Sequence, residues 1–221
     1  MTVKNDLNVI LNNNVIERKQ ETKFLGVIVD EKLKWDSHVR YISTKISRNI
    51  GVISKIRNSL NSSTKSLLYY SLVYPYMHYC STVWGSANKT VINPLTILQK
   101  RIIRIIRGTN YRHHSNELFK DSKVLKLKDV IKLELLKFIH KLNFATNPLF
   151  PITRVGEVHT HNTRAQARNM LQPPRFQSSL SKNFVLYRGI NEWNRVNDTL
   201  RSTLNPATFK IKLKKSIIES Y

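Results

Sequence analysis

The strongest constraint on the fold is an apolar stripe that begins at Val39. Its residues recur at three- and four-residue steps, which is the spacing of one face of an α-helix. They are Val39, Ile42, Ile46, Ile50, Ile53, Ile56 and Leu60. Asp36 or Ser37 stands where an N-cap residue is expected. The pattern therefore predicts a long helix with one buried face.

Further helices are expected through most of the remaining chain. Helical spacing of apolar residues predicts them over residues 62–85, 93–107, 116–120, 128–145, 180–200 and 206–219. Pro75 interrupts the first, and Gly108 ends the second because glycine readily takes the left-handed conformation at a helix C-terminus. Trp193 is expected to anchor a core. The aromatic residues between Tyr69 and Trp84 are expected to be mostly buried, with one or two exposed.

The beginning of the chain has a different pattern. Asn12-Asn13-Asn14 is a turn-prone tract between two apolar segments, and it predicts a β-hairpin. The β-branched run at 24–29 predicts a third strand. Residues 149–178 contain several Pro and Arg residues and are interpreted as an extended linker or arm.

These patterns together predict a mainly α fold with a small N-terminal antiparallel β piece, in the α+β class. The predicted divisions are a β hairpin plus strand over residues 1–36, a basic helical bundle over 37–148, the linker over 149–178 and C-terminal helices over 179–221.

Charge is distributed unevenly along the chain. Residues 37–116 contain twelve Lys and Arg and no Asp or Glu, within a protein of net charge +23, whereas residues 1–36 are neutral. Grouped cations without neighbouring carboxylates repel one another until a polyanion neutralises them. The central segment is therefore expected to bind nucleic acid through its phosphates.

Two helical faces carry the candidate contacts. The first comprises Tyr41, Lys45, Arg48 and Lys55, and the second comprises Lys100, Arg101, Arg104 and Arg107, with Arg112 just beyond. An ordinary solvated helix face is the alternative for the first set. For the second, the alternative is complementation of the helix dipole, worth about 0.3–1 kcal/mol per charge.

Several other classes of site are disfavoured. The lone Cys80 excludes an internal disulfide and a Cys-based zinc site. Asp30-Glu31 is interpreted as a solvated turn, and His159 and His161 lack a suitable third metal ligand nearby. No P-loop or Gly-x-Ser-x-Gly motif and no apolar run of membrane-spanning length is present. We expect no catalytic residue, metal site, cofactor or membrane contact in this chain.

An ordered set of short segments resembles the reverse transcriptases of LINE-type (non-LTR) retrotransposons, jockey-like in kind. The segments are FLGVIVD (24–30) with LKW (33–35), LYYSLVYPY (68–76) with VWG (83–85), LQKR (98–101), HNTR (161–164) and WN (193–194). They are colinear and cover about residues 23–221. Each segment is short, but the ordered set is specific.

The resemblance implies a role for each part. Residues 1–36 would be the end of a palm domain, residues 37–148 a thumb-like bundle, and His161 and Arg164 backbone-contacting residues. The expected partners are RNA, DNA or an RNA–DNA template–primer. A complete parent enzyme would use Mg²⁺ held by clustered aspartates. This sequence has no Ala-Asp-Asp turn, so the chain is expected to be a C-terminal fragment of an RNA-directed DNA polymerase, inactive by itself.

The apolar residues of the first segment are expected to be exposed, because three strands cannot complete a palm sheet. Val9, Ile10, Leu11 and Phe24 would then contact the missing palm and fingers, or a second copy of the chain. The location implied is intracellular, in a nuclear or cytoplasmic ribonucleoprotein. The alternative function is a degenerate relic or a domesticated protein-interaction module without a nucleic-acid role.

Overall fold

The computed structural model describes residues 9–110, 113–144, 149–158, 163–175, 178 and 181–221. The protein is mainly helical, with two small antiparallel sheets near its N-terminus. The predicted fold class is confirmed.

The first hairpin forms where the asparagine tract predicts it. Strands β1 (Ile10–Leu11) and β2 (Asn14–Val15) pair with Ile10 opposite Val15. Asn12 and Asn13 connect them with φ of 48° and 61°, in the left-handed region that asparagine tolerates better than most residues.

A second hairpin replaces the single strand expected over residues 24–29. Strands β3 (Glu21–Phe24) and β4 (Val27–Asp30) pair, and Leu25 and Gly26 form the turn between them with φ of 46° and 83°. The prediction of one continuous strand was wrong because the β-branched run conceals a glycine that takes the positive φ of a tight turn.

Helix α1 (Asp36–Lys55) buries the predicted stripe as far as Ile53. It ends earlier than expected, since Ile56 is 42% exposed and a 3₁₀ turn follows at Arg57–Ser59. The N-cap residue is Trp35, with φ 69° and no side-chain cap bond, rather than Asp36 or Ser37.

The second predicted helix consists of three short ones. They are α2 (Ser62–Leu72), α3 (Tyr74–His78) and α4 (Ser81–Trp84). Pro75 stands in the first turn of α3, where its missing N–H leaves no helical bond unmade. Cys80 takes a φ of 50° at the start of α4.

Helix α5 (Lys89–Arg107) begins before the expected opening at Asn93, so Pro94 lies inside it. That prediction was wrong because the helix tolerates the one backbone hydrogen bond that proline cannot donate. Gly108 ends the helix with φ 65°, as predicted.

The C-terminal half is built around one long helix. Its elements are α6 (Ser115–Asp121), α7 (Leu127–Phe144), α8 (Val155–Val158), α9 (Arg164–Ala167), a 3₁₀ turn (Ser181–Asn183), α10 (Val185–Asn194), α11 (Asp198–Arg201) and α12 (Pro206–Glu219). The described part of residues 149–178 therefore contains two one-turn helices, and an antiparallel bridge joins Arg154 to Leu171. Leu171 is buried.

Two apolar cores share α7. The first lies among α1, α2, α3 and α5 and includes Leu127 and Ile131 from α7. The second includes Leu136 of α7 and packs against α10 and α12. Trp193 is 2% exposed within it, which confirms its role as an anchor. Within the described segments, no helix is both long and apolar enough to cross a membrane.

Candidate nucleic-acid interface

The orientation of α5 places its cations at the surface. Leu95, Gln99, Ile102, Ile103 and Ile106 are buried in the first core. Arg101 is exposed and Arg104 is partly buried, on the opposite side of the helix. The positions of the buried residues along this helix therefore determine which of its arginines are accessible to a ligand.

Arg101 and Arg104 line a cleft of about 510 Å³ together with two cations from other elements. Arg57 comes from the 3₁₀ turn after α1, and Lys65 from the first turns of α2. We call this site, lined by Arg57, Lys65, Arg101 and Arg104, the basic cleft. The described residues that line it include no Asp or Glu, so nothing in that lining neutralises its four charges.

Arg57 and Lys65 were missed from the sequence alone. Both lie in the acid-free segment, which was the available signal, but neither belongs to a helical face that carries the other cations. The turn after α1 and the reversal into α2 bring them beside α5, and only the three-dimensional packing shows this.

The remaining predicted cations of α5 lie elsewhere. Arg107 forms an ion pair with Asp121, with 3.6 Å between Nη2 and Oδ2, beside a neighbouring cavity of about 370 Å³. Lys100 lies close enough to Lys126 for the two like charges to repel each other. The pKa of Lys126 is lowered, first by burial and then by Lys128, with Lys100 contributing in the same direction and Asp129 opposing them. The cations predicted on α5 are therefore divided among three places. Arg101 and Arg104 line the basic cleft, Arg107 pairs with Asp121, and Lys100 lies near Lys126.

The face predicted on α1 is partly assembled. The Tyr41 ring lies beneath two ammonium groups, with Lys45 Nζ 5.7 Å and Lys23 Nζ 5.1 Å from its centroid. Lys23 belongs to β3 and was not among the predicted contacts. Arg48 and Lys55 are exposed on the same helix.

Arg112 and His161 lie outside the described residues. Arg164 is exposed at the start of α9, and it is not among the residues that line the basic cleft. Its neighbour Thr163 caps this short helix, since its hydroxyl accepts the N–H of Gln166 at 3.2 Å. Thr163 therefore has a structural role at the start of this helix, whereas a contact of Arg164 with a nucleic-acid backbone stays a prediction.

Carboxylates in the C-terminal half form ion pairs with neighbouring cations. Glu192 pairs with Lys132 and Arg195, at 3.0 and 2.7 Å. Asp198 likewise contacts Arg168 and Arg201. This pairing distinguishes the C-terminal half from the basic cleft, whose described lining contains four cations and no carboxylate.

Asp30 organises the turn that follows β4. Its carboxylate accepts the N–H groups of Lys32, Lys34 and Trp35 at 3.1, 3.0 and 2.7 Å. Burial acts to raise the pKa of Asp30, but these backbone donors outweigh it and hold the pKa below the usual value. Throughout the described segments, no three His, Cys, Asp or Glu side chains are grouped closely enough to hold a metal ion.

The apolar residues of the first hairpins are exposed, as predicted. Val9, Ile10, Leu11 and Phe24 expose between 56% and 66% of their surface. Among the aromatic residues of the α2–α4 segment, Tyr70 and Tyr79 are exposed in part, which also agrees with the prediction.

Comparison with known proteins points to one group. The chain is 32% identical over 168 residues to the RNA-directed DNA polymerase from mobile element jockey of Drosophila melanogaster. It is 27% identical over 168 residues to the Drosophila funebris counterpart, and 25% over 160 residues to the probable RNA-directed DNA polymerase from transposon X-element of Drosophila melanogaster. These matches cover 71–74% of this chain and 18% of each relative.

No family model matches the chain. No solved structure matches it either. The similarity to the curated relatives spans most of this chain, and the chain spans less than a fifth of their length. The homologues of this protein are therefore the RNA-directed DNA polymerases of jockey and other Drosophila non-LTR retrotransposons.

Proposed function

We propose that this chain is a template-binding region of a retroelement reverse transcriptase, and that it grips RNA or an RNA–DNA duplex through backbone phosphates. One observation carries the proposal: four cations from three elements surround a cleft whose described lining contains no carboxylate. Its homologues are named as RNA-directed DNA polymerases, and a nucleic-acid ligand is consistent with those names.

Counterion release explains why such a site favours a polyanion. Each phosphate that a Lys or Arg neutralises releases condensed cations, so affinity falls with salt by about 0.9 log units per log unit of salt for each contact on a B-form duplex. The basic cleft offers four such contacts, and Lys45 and Arg48 on α1 offer two more. Binding is accordingly steep in salt and insensitive to base sequence, since phosphate contacts carry no base information.

Polymerisation is not proposed for the isolated chain. Two-metal phosphoryl transfer needs carboxylates that hold two ions about 4 Å apart. The described residues present no such group, and the Asp30 carboxylate is occupied by three backbone N–H groups. A Mg²⁺ site therefore does not fit the described residues, and no catalytic step is assigned to them.

The test is a fluorescence anisotropy titration with a short RNA–DNA duplex between about 50 and 200 mM salt. Arg57→Gln/Lys65→Gln/Arg101→Gln is compared with Lys141→Gln/Lys210→Gln/Lys212→Gln, which removes the same charge from exposed positions outside the cleft. We expect the cleft variant to lose at least tenfold in affinity at low salt and to show a shallower salt slope. Equal losses in both variants would contradict a specific role for the cleft.

A second candidate function is a protein-interaction module. The exposed apolar residues of the two hairpins favour it, because Ile10, Leu11 and Phe24 each leave more than half of their surface in contact with water. If the chain does not bind the duplex even at low salt, the nucleic-acid proposal fails. Concentration-dependent self-association that Phe24→Ser abolishes would then support this second candidate.

A further inference from the structure

We infer that the side of the basic cleft formed by Arg104 and Thr109 is a discrete seat for one phosphate group. The inference rests on the proposed function, since it names the part of that site which grips the ligand. It differs from general attraction to a polyanion because it requires saturable binding of a small anion at one place.

The first support is a pair of unsatisfied polar atoms. Arg104 Nε and Thr109 Oγ1 are both covered, and neither has a hydrogen-bond partner among the described residues. A buried polar group left unpaired destabilises the folded state, and a ligand that pairs with it removes that penalty. Both residues line the basic cleft, so a small shift of their side chains would bring these donors to an oxygen atom seated there.

The local backbone keeps the two residues together. Gly108 takes a φ of 65° and ends α5, after which the chain turns back on the helix. The Thr109 N–H then donates to the Arg104 carbonyl at 3.1 Å. Arg104 Nη2 donates to the His113 carbonyl at 3.3 Å, so one end of the guanidinium has a partner while Nε has none among the described residues.

The second support is the positive charge that converges on the same place from outside α5. Lys65, Gly108 and Thr109 line both the basic cleft and the neighbouring cavity of about 370 Å³. Ser62, the first residue of the eleven-residue helix α2, lines that neighbouring cavity too. The positive end of the α2 dipole therefore lies beside Lys65. Asp121 also lines that neighbouring cavity, where it pairs with Arg107, whereas the lining of the basic cleft itself contains Arg57 and no carboxylate among the described residues.

Phosphate fits this arrangement better than a carboxylate does. Its tetrahedral oxygens can accept from a hydroxyl, a guanidinium and an ammonium that approach from different directions. The cleft volume of about 510 Å³ exceeds that of one phosphate, which leaves room for attached groups. The seat would therefore accept a backbone phosphate of a nucleic acid or a free phosphate, and the experiment must separate these two sources.

The experiment uses the full 221-residue chain and has two titrations. Inorganic phosphate is titrated at low ionic strength by isothermal calorimetry, and the RNA–DNA duplex by anisotropy. The variants are Thr109→Val and the triple cleft variant, with Lys141→Gln/Lys210→Gln/Lys212→Gln as the control for charge. Thermal unfolding in phosphate-free buffer is recorded for each protein.

We expect one phosphate per chain in the wild type, about tenfold weaker binding in the triple variant, and less than a twofold change in the control. Thr109→Val should weaken phosphate binding severalfold while leaving the melting temperature unchanged or higher, since it removes an unpaired buried hydroxyl. A purely structural threonine would behave in the opposite way, because its loss would lower the melting temperature and leave phosphate affinity unchanged.

The outcomes separate the inference from the function on which it rests. Duplex binding that depends on the cleft, without saturable phosphate binding, would overturn the seat and leave the proposed function intact. Phosphate binding that both Thr109→Val and the triple variant weaken, without duplex binding, would retain the seat for free phosphate and overturn the proposed function. Phosphate binding that is equal in all variants would overturn the seat.

Discussion

Gln99 Nε2 donates a hydrogen bond of 3.0 Å to Tyr69 Oη, and both side chains are completely buried. The same amide nitrogen also donates to the Leu125 carbonyl at 2.9 Å, while Gln99 Oε1 accepts the Leu127 N–H at 2.7 Å. One side chain of α5 therefore fixes α2 and the segment that leads into α7. The residue lies in the LQKR segment, whose neighbouring Arg101 faces the basic cleft.

Replacement of Gln99 by leucine should destabilise the protein. The substitution nearly preserves volume but leaves the Leu125 carbonyl, the Leu127 N–H and the Tyr69 hydroxyl without their partner, each at a cost of about 1–3 kcal/mol. We expect the free energy of unfolding in urea to fall by about 3 kcal/mol. Tyr69→Phe removes only one bond, and the Gln99 amide keeps its bond to Leu125, so about 1 kcal/mol is expected. A Gln99→Leu loss no larger than that of Tyr69→Phe would contradict this account.

Asn194 should be as important for the C-terminal core. Its side chain accepts the Leu171 N–H at 3.0 Å and donates to the Leu171 carbonyl at 2.8 Å. These two bonds hold the described part of the 163–175 segment against α10. We expect Asn194→Ala to lower the unfolding free energy by about 2 kcal/mol and to speed proteolysis within residues 149–178. Asn191→Ala is the control, because the Asn191 amide donates to the Tyr187 carbonyl within its own helix. An equal rate of proteolysis in the two variants would count against the role assigned to Asn194.

The sequence predicted the fold better than it predicted the candidate site. Helical periodicity at Ile46 and Ile50 depends only on burial, and turn chemistry at Asn12 and Gly108 depends only on local backbone geometry, so both could be read from the chain. The hairpin turn at Leu25-Gly26 was hidden within a β-branched run.

The basic cleft depended on a long-range relationship. Arg57 and Lys65 reach Arg101 only because the chain reverses between α1 and α2, and no periodic pattern encodes that reversal. Asp121 lies just outside the acid-free segment, yet it forms an ion pair with Arg107 of α5. Charge counting therefore indicated a nucleic-acid surface without distinguishing the free cations from the paired ones.

Asp30 predicts a pH dependence of stability. Its pKa in the folded protein lies below the ordinary value of 3.8, so the folded state favours the ionised carboxylate. The corresponding stabilisation is complete above the unfolded pKa and is lost as the pH falls through the folded pKa. We expect the difference in unfolding free energy between wild type and Asp30→Asn to be constant from about pH 5 to 7 and to shrink below about pH 4.

The comparison with Asp30→Asn removes the general effect of acid on a highly basic protein, because both chains gain nearly the same charge. Asp36→Asn serves as the control, since Asp36 is exposed in the first turn of α1. A wild-type advantage over Asp30→Asn that grows as the pH falls would show that the carboxylate is not stabilised by its three backbone donors.

Two glycines should respond in opposite ways to the same substitution. A Cβ atom at Gly85, in the VWG segment, would lie 2.3 Å from the Ser81 carbonyl oxygen and 2.6 Å from Ile131 Cγ2. The carbonyl belongs to the backbone and cannot move aside cheaply, so we expect Gly85→Ala to cost about 1–3 kcal/mol of unfolding free energy. Gly51 lies within α1, and a Cβ atom there would meet nothing within 4 Å.

Gly51→Ala should therefore raise the unfolding free energy by about 0.5–1 kcal/mol, because alanine loses less backbone entropy in a helix than glycine does. Both variants replace glycine by alanine, and urea unfolding of each gives the sign of its change in unfolding free energy. Stabilisation by Gly85→Ala would show that α4 does not pack against α7 as closely as the structure has it. The Gly85 carbonyl accepts a hydrogen bond of 3.0 Å from Arg188 Nη2 of α10. Gly85→Ala should therefore also weaken the attachment of α10. Relative to the wild type, hydrogen exchange should then accelerate more in residues 185–194 than in α1.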